Sequence, residues 1–173
     1  MHSDKEIVVI GAGAAGLMAA GRAASLGREV LVLEKMHRPG RKLGLTGKGR
    51  CNLTNTAKYA DFVKHFQNGK NFLRPAFYSF FNNDLQDFFQ NQGLSLVEER
   101  GGRVFPSSNS AIEVIDALVN WAEQNGVQFK TNAAVKDLLV KDKCVQGVEF
   151  EHQNDKKSDQ AKTEYIQSGK VIL

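Results

Sequence analysis

The sequence is poor in cysteine and has no long apolar run. Its two cysteines, Cys51 and Cys144, form no C-x-x-C pair, and its four histidines are scattered. This argues against a disulfide scaffold and against a zinc site, and it fits a reducing compartment. No run approaches the ~20 apolar residues that a membrane-spanning helix requires. We therefore expect a cytoplasmic protein with no metal site and no membrane partner.

Neither sign of charge is in large excess. The 23 basic and 19 acidic residues give a net charge of +4, which can attract a phosphate-bearing ligand but does not indicate a fold. Hydrophobic content of 42% and charged content of 24% are ordinary for a globular protein. A length of 173 residues predicts one domain, or one and a fraction.

Near its start the sequence has a glycine-rich turn between two apolar runs. Ile7–Ile10 is a short β-branched run, typical of a buried strand. Residues 14–26 are rich in Ala and Leu, which predicts a helix that ends at Gly27. Residues 29–34 predict a second buried strand. Strand, helix and strand within about 30 residues predict a βαβ unit with parallel strands.

The turn itself, residues 11–16, has the pattern G-x-G-x-x-G. In this context Gly11 permits a tight turn, Gly13 lets a pyrophosphate approach the backbone, and Gly16 lets helix and strand pack closely. The N–H groups at the helix start attract the phosphate. Glu34 ends the second strand 18 residues beyond Gly16, near the spacing of about 20 expected for a ribose-binding acid. The pattern predicts a dinucleotide site for FAD or NAD.

A glycine-rich basic segment follows the second strand. Residues 36–55 contain four glycines and five basic residues but no acid. In a plain NAD dehydrogenase this strand usually leads into another helix, whereas a flexible cationic loop can follow an extended anionic cofactor. The segment therefore favours FAD. An NAD-binding dehydrogenase domain stays open as an alternative, as does a basic module that binds nucleic acid or other anions through residues 38–50.

The remaining sequence predicts helices, a hairpin and a run of strands. Eight of the eleven phenylalanines lie in residues 59–93, which predicts two or three helices, broken near Gly69 and Asn82, with an aromatic core. A hairpin is predicted about residues 101–102, and strand-like segments after residue 126 enclose a polar hairpin tip at 153–162. Between them we predict a helix over residues 110–125 whose buried face contains Ile112, Ile115, Leu118, Val119 and Ala122.

Three segments, "VVIGAGAAGLMAA", "GRKLGLTGKGRCNLTN" and "GGRVFPSSNSA", and the spacing between them resemble the YhiN/BaiN-type flavoproteins. These are known as NAD(P)/FAD-dependent oxidoreductases or aminoacetone-oxidase-family enzymes. The resemblance covers essentially the whole sequence. It implies an α/β fold: a Rossmann-type FAD-binding domain with a parallel sheet, helices and a β-meander. Within residues 1–173 it places a helical and hairpin insertion at 56–110 and the meander at 133–168.

The resemblance also implies which residues bind FAD. Those expected at the pyrophosphate are Gly11, Ala12, Gly13, Ala15 and Gly16, and those at the adenosine end are Glu34 and Lys35. The residues expected to run toward the ribityl chain and flavin are Arg41, Lys42, Gly47, Gly49, Arg50, Cys51 and Asn52. The backbone of Val135 matches a position that contacts adenine. No catalytic residue is assigned.

As implied by the resemblance, FAD passes electrons between NAD(P)H or an organic substrate and an acceptor, and the expected substrate is a small molecule rather than a nucleic acid. In the family the strand resembling "KVIL" continues into A-T-G-G, whereas this sequence stops at Leu173. We therefore expect a domain incomplete at its C-terminus, the N-terminal part of a longer flavoprotein without its substrate-side domains.

Cys51 has two interpretations. Its neighbours Lys48 and Arg50 create an electropositive setting, which favours a lowered thiol pKa and a redox-active thiol. Alternatively, it is a loop residue that lines the flavin.

Overall fold

The computed structural model describes residues 5–152 and 163–173, so the predicted hairpin tip at 153–162 lies outside the described residues. The chain divides into two compact units: a first unit of Met1–Leu43 with Leu118–Leu173, and a second unit of Gly44–Ala117. The predicted bounds of the insertion and the meander stay predictions. In the described ranges, no helix has the length and apolar composition needed to cross a membrane.

The helices and strands follow one another in the order β1 (Ile7–Ile10), α1 (Ala14–Ser25), β2 (Val30–Leu33), β3 (Thr54–Asn55), α2 (Tyr59–Phe62), α3 (Lys70–Ser79), α4 (Asn82–Asn91), β4 (Leu96–Glu99), β5 (Arg103–Pro106), α5 (Ala111–Gln124), β6 (Gln128–Lys130), β7 (Ala133–Lys141), β8 (Cys144–His152), β9 (Thr163–Gln167) and β10 (Val171–Ile172). A 3₁₀ helix lies at Val63–Gly69, and short 3₁₀ turns within Leu43–Gly49 are interrupted at Thr46, Gly47 and Lys48, whose backbone angles are not helical.

The first unit is built on a parallel sheet with the strand order β10-β1-β2-β6. The β-branched residues of β1 and β2 are almost all buried, as expected of strands covered on both faces. Helix α1 ends before Gly27, whose φ of +80° is a left-handed conformation that glycine adopts without penalty. The predicted parallel βαβ unit and the Rossmann-type α/β fold are confirmed.

An antiparallel sheet, β7-β8-β9, covers part of this core. Its side chains Val148, Phe150 and Ile166 pack with Val8 and Leu31 of the parallel sheet in one apolar cluster. The two sheets are also joined by an ion pair of 2.7 Å between Lys130 Nζ and Glu164 Oε2. This packing positions the first residues of β7 beside the carboxyl ends of β1 and β2.

The second unit contains an antiparallel sheet, β3-β5-β4, and the helices α2 to α4. The predicted hairpin is confirmed, with Glu99 opposite Arg103. The helix break predicted near Asn82 is confirmed: α3 ends at Ser79 and α4 begins at Asn82, so the break falls at Phe80 and Phe81.

The predicted aromatic core is wrong for α2 and α3, neither of which has a buried residue. Their rings pack on one another, with the Phe62 and Phe81 centroids 5.0 Å apart, but Phe72 is 87% exposed. Helical spacing brings rings onto one face, yet it does not indicate whether a second layer covers that face. Phe89 of α4, by contrast, is buried.

The buried stripe of α5 also differs from the prediction. Ala111, Val114, Leu118 and Ala122 are buried, whereas Ile112 is 60% exposed. These residues are three or four positions apart and therefore follow one helical face. The prediction is confirmed for Leu118 and Ala122, while Ile115 and Val119 are half-buried, and it missed Ala111 and Val114 at the start of the stripe.

Candidate cofactor site

The glycine-rich turn of the first unit needs glycine at two positions for internal reasons. Gly11 has a φ of +93°, and its N–H donates to the Leu33 carbonyl at 2.8 Å. A Cβ at Gly16 would overlap the Gly11 carbonyl oxygen, so α1 can approach the turn only because this position has no side chain. Gly11 and Gly16 thus build the turn itself.

Neither the backbone conformation nor the packing requires glycine at position 13. Its φ of −79° and ψ of −177° suit any residue, and a Cβ there would meet nothing within 4 Å. Gly13, Ala14 and Ala15 are exposed at the start of α1, where the first helical N–H groups have no acceptor within the helix. The turn therefore presents open space and free amide donors, the arrangement that binds a phosphate group.

Ala12 and Glu34 are joined beneath this turn. The Ala12 N–H donates to Glu34 Oε2 at 2.7 Å, and the Met36 N–H donates to Oε1 at 2.8 Å. The Ala12 carbonyl in turn accepts the Gly40 N–H at 2.8 Å. The N–H groups of Gly11 and Ala12 are thus used inside the protein, and the amides that a pyrophosphate can reach belong to the exposed residues after them.

Glu34 lies at the mouth of α1, as its spacing predicts. Its side chain is mostly buried, with 9% of the residue exposed. Each carboxylate oxygen accepts one backbone N–H, which fixes the orientation of the side chain. Each oxygen keeps a further lone pair that can accept a hydroxyl hydrogen. The carboxylate is thus suited to hold a neutral diol and to repel a phosphate at the same place.

A cavity of about 240 Å³ opens beside Glu34. It lies at the carboxyl ends of parallel strands, where ligands bind in open α/β sheets. Two larger depressions, of about 360 and 290 Å³, include none of the predicted cofactor residues. The cavity beside Glu34, by contrast, is lined by four of those residues: Gly11, Glu34, Lys35 and Val135. Its other lining residues are Ile10, Leu33, Ala133 and Ala134.

Three cations that follow β2 in the first unit are exposed, and one of them, Lys35, lines the cavity. Lys35, Arg41 and Lys42 take part in no ion pair among residues 5–152 and 163–173, and Arg41 Nη1 contacts Met36 Sδ at 3.7 Å. Their charge is therefore available to an anionic ligand.

The other predicted cofactor residues lie in the second unit. Gly47 and Gly49 have left-handed backbone, and Asn52 is exposed. Arg50 is half-buried and directs its guanidinium to Glu99 at 2.7 Å. The Arg50 charge is therefore compensated inside this unit.

Cys51 contradicts the prediction of a reactive thiol. It is 1% exposed, and burial raises the pKa of its thiol, with a smaller opposing effect from a hydrogen bond with Thr46. The neighbouring Arg50, one of the cations on which the prediction rested, pairs with Glu99, an acid 49 residues later in the sequence. A buried thiol of raised pKa is a poor nucleophile.

Sequence analysis missed two residues that organise these loops, Gly40 and Glu99. The Pro39-Gly40 pair is a turn signal, so Gly40 had a local indication. Glu99 had none, since its partner lies in a distant segment of the chain.

Comparison with known proteins identifies the family. The model of the HI0933-like protein Rossmann domain matches residues 5–166. The ribosomal RNA dihydrouridine synthase of Escherichia coli is 32% identical over 130 residues, which cover 75% of this chain and 32% of that protein. The 3-dehydro-bile acid delta(4,6)-reductase of Clostridium scindens is 33% identical over 136 residues, which cover 78% of this chain and 32% of that protein.

Solved structures agree on the fold. The 3-ketosteroid-delta4-(5alpha)-dehydrogenase of Rhodococcus jostii RHA1 matches with a TM-score of 0.68 at 16% identity, over 99% of this chain and 46% of that one. A flavocytochrome c3 fumarate reductase matches with a TM-score of 0.63 at 22% identity, over 99% and 34%. The chain spans about a third of the length of the curated relatives it matches.

These matches confirm the resemblance noted in the sequence. The family match covers most of the chain, and the solved structures share the same α/β topology. The chain belongs to the HI0933-like Rossmann-domain family, a family of FAD-binding domains from flavin-dependent oxidoreductases.

Proposed function

We propose that the first unit holds the adenosine diphosphate half of FAD. The exposed amides of Gly13, Ala14 and Ala15 bind the pyrophosphate, and Glu34 accepts the ribose hydroxyls. The cavity beside Glu34, with Val135 on its wall, takes the adenine. One observation carries the proposal: glycine at position 13 is required neither by its backbone angles nor by packing. Close approach of a ligand is the remaining reason for it.

Lys35, Arg41 and Lys42 supply the positive charge for this ligand. All three are exposed and have no acidic neighbour within ion-pair distance in the described ranges. Charge at this place balances the two negative charges of a pyrophosphate, while the Glu34 carboxylate disfavours the 2′-phosphate of NADP. The set therefore selects a dinucleotide with a free adenosine ribose.

We propose further that the reaction is reduction of a carbon–carbon double bond conjugated to a carbonyl group in a small molecule. The names of the two curated relatives are both consistent with this reaction. Dihydrouridine carries two hydrogens more than uridine, and the bile-acid enzyme is named a reductase. Bound FAD supplies two-electron transfer. NAD(P)H gives up a hydride, one carbon receives it, and the neighbouring carbon takes a proton from solvent, which balances the reaction.

Uridine in ribosomal RNA is the second candidate substrate. Besides the Escherichia coli relative, the ribosomal RNA dihydrouridine synthase of Haemophilus influenzae is 28% identical over 138 residues, covering 80% of this chain and 34% of that protein. The basic stretch 38–50, which has no acid, is compatible with a polyanionic substrate. The expected cytoplasmic location and the expected lack of a nucleic-acid partner stay predictions.

The binding proposal is tested by titrating the purified chain with FAD, ADP and NADH by calorimetry. Gly13→Ala should weaken both FAD and ADP by about tenfold or more, because its methyl group fills the space of the pyrophosphate. Gly169→Ala is the matched control, since its Cβ would also meet nothing within 4 Å. Neither variant should lower the Tm. Unchanged FAD affinity in Gly13→Ala would overturn the site, and a preference for NADH over FAD would restore the NAD alternative.

The reaction is tested by following NAD(P)H oxidation in FAD-loaded protein. A conjugated enone and a uridine-containing ribosomal RNA fragment serve as alternative acceptors. Oxidation that depends on the enone supports the small-molecule proposal, and oxidation that depends on the RNA supports the second candidate. Oxidation that depends on neither overturns the proposed reaction and leaves the binding site unaffected.

A further inference from the structure

The turn from β6 into β7 runs beside the segment that carries Glu34; we call this turn, residues 130–133, the 130–133 connection. Glu34 donates its N–H to the Lys130 carbonyl and accepts the Ala133 N–H, both at 2.9 Å. The Asn132 N–H donates to a carbonyl two residues beyond Glu34, at 3.0 Å. The position of the Glu34 backbone therefore depends on where the 130–133 connection lies.

The cavity beside Glu34 is built largely from these two segments. Glu34 and Lys35 line it from one segment, and Ala133, Ala134 and Val135 line it from the start of β7. The three backbone hydrogen bonds fix the distance between the segments. Because the cavity lies where they meet, its shape changes if the 130–133 connection moves.

A cluster of ionisable side chains holds the connection from the antiparallel sheet. Lys130 Nζ donates to Glu164 Oε2 at 2.7 Å, and His152 Nε2 lies 3.3 Å from the same oxygen. Lys130 begins the connection, and His152 is the β8 residue opposite Ala133, which ends it. One carboxylate of β9 thus contacts both the start of the connection and the strand partner of its end.

The cluster is partly shielded from water and packed on one ring. Side-chain exposures are 34% for Lys130, 25% for Glu164 and 22% for His152. Lys130 Nζ lies 4.6 Å from the ring centroid of the buried Phe150, and the His152 ring meets the same ring edge-on at 5.5 Å. This packing holds the side chains in one arrangement, the condition under which an ion-pair network contributes measurably.

The three ionisable side chains act at a distance from the cavity. Its lining, as far as the described residues form it, includes none of them, and Lys130 and Glu164 line a separate depression of about 290 Å³. We propose that Glu164 is a positioning residue: through Lys130 and His152 it holds the 130–133 connection against the Glu34 segment and so sets the shape of the adenosine cavity. The inference rests on the proposed adenosine site and lies wholly within the first unit.

The first unit offers a matched control at the other end of its parallel sheet. Glu6 Oε1, just before β1, pairs with Arg28 Nη1 at 3.0 Å and with Lys170 Nζ at 3.3 Å. This carboxylate also joins two basic side chains, but these precede β2 and β10, at the amino ends of the strands. Ligands bind at the carboxyl ends of such sheets. Loss of the Glu6 charge therefore affects stability without reaching the cavity.

The test compares Glu164→Gln with Glu6→Gln in the complete chain, by calorimetric titration with ADP and by thermal unfolding. Glutamine keeps the size of the side chain and removes its charge. Each variant should lower the Tm by no more than about 4 °C. Glu164→Gln should weaken ADP binding about fivefold, whereas Glu6→Gln should leave it within about twofold. Lys130→Gln, which removes the other charge of the pair, should reproduce the loss and guards against a single variant that fails to fold.

Hydrogen exchange tests the same role without a ligand. The amide hydrogens of Glu34, Asn132 and Ala133 join the two segments, so they should exchange faster in Glu164→Gln than in the wild type or in Glu6→Gln. Unchanged exchange at these amides overturns the inference.

The ADP titrations can overturn it independently. Unchanged ADP affinity in both Glu164→Gln and Lys130→Gln does so, as does an equal loss in Glu6→Gln. A wild-type chain that binds no ADP overturns the proposed site, and the positioning role with it. A wild-type chain that binds ADP makes the variants a test of the positioning role alone.

Discussion

The chain has two glycine-rich stretches, residues 11–16 and residues 46–51 (the 46–51 loop), and they hold their shape by different means. In the first, Gly11 has a left-handed backbone angle, and Gly16 lies where a side chain would overlap the Gly11 carbonyl oxygen. In the second, Lys48 and Cys51 have left-handed angles although they are not glycine. The first stretch is stable through its own backbone, and the second needs an anchor from another part of its unit.

The two stretches differ in how far along the sequence the residues lie that fix their conformation. The turn at residues 11–16 is fixed by its own atoms, by the end of β2 and by Gly40. The 46–51 loop is fixed by an acid 49 residues later. A turn of the first kind can be recognised from local sequence, whereas one of the second kind depends on the fold that brings the anchor close.

The largest effect is expected at Gly16. The methyl group of Gly16→Ala would overlap the Gly11 carbonyl oxygen, so α1 must move away from the turn. We therefore expect a loss of at least about 2 kcal/mol in the free energy of unfolding. Urea unfolding measures this loss. Gly13→Ala, the same chemical change three residues earlier, is the control and should stay within about 0.5 kcal/mol of the wild type. Equal stability of the two variants would contradict the division of roles within the turn.

An intermediate effect is expected at Glu34. Glu34→Gln leaves one oxygen for the two N–H donors of Ala12 and Met36 and sets an amide NH₂ against one of them. We expect a loss of about 1–3 kcal/mol in the free energy of unfolding, the cost of an unsatisfied buried donor. Glu29→Gln, at an exposed position before β2, should change it by less than about 0.5 kcal/mol. If both variants unfold at the same urea concentration, the carboxylate does not hold the turn.

The smallest effect is expected at Glu99, and it depends on pH. The hydrogen bond from Arg50 holds the pKa of the Glu99 carboxyl below its ordinary value of 4.5, and the charges of Arg50 and Arg103 add to this. The folded state thus favours the ionised form, so the stabilisation is complete above pH 4.5 and is lost as the pH falls through the lower folded pKa. Wild type should exceed Glu99→Gln in urea midpoint near neutral pH, and the two should converge in acid. A constant difference at every pH would show that the Glu99 charge is not involved.

Sequence-based prediction succeeded where short-range contacts decide the structure and failed where distant contacts decide it. The βαβ unit, the hairpin and the location of Glu34 depend on short-range patterns, and all three were predictable. The aromatic face of α2 and α3 and the environment of Cys51 depend on what covers a side chain, which spacing does not specify. The pattern of α5 correctly indicated a helix and the burial of Leu118 and Ala122, but it wrongly placed Ile112 on the buried face.

Both backbone polar groups of Ala12 are hydrogen-bonded, each to a different segment of the first unit. Its oxygen secures Gly40, while the amide on the other side of Ala12 secures the carboxylate of Glu34. The basic segment and the acid that ends β2 are therefore tied to the glycine-rich turn through the backbone of a single residue, so a change that moves either one acts on the same point of the turn.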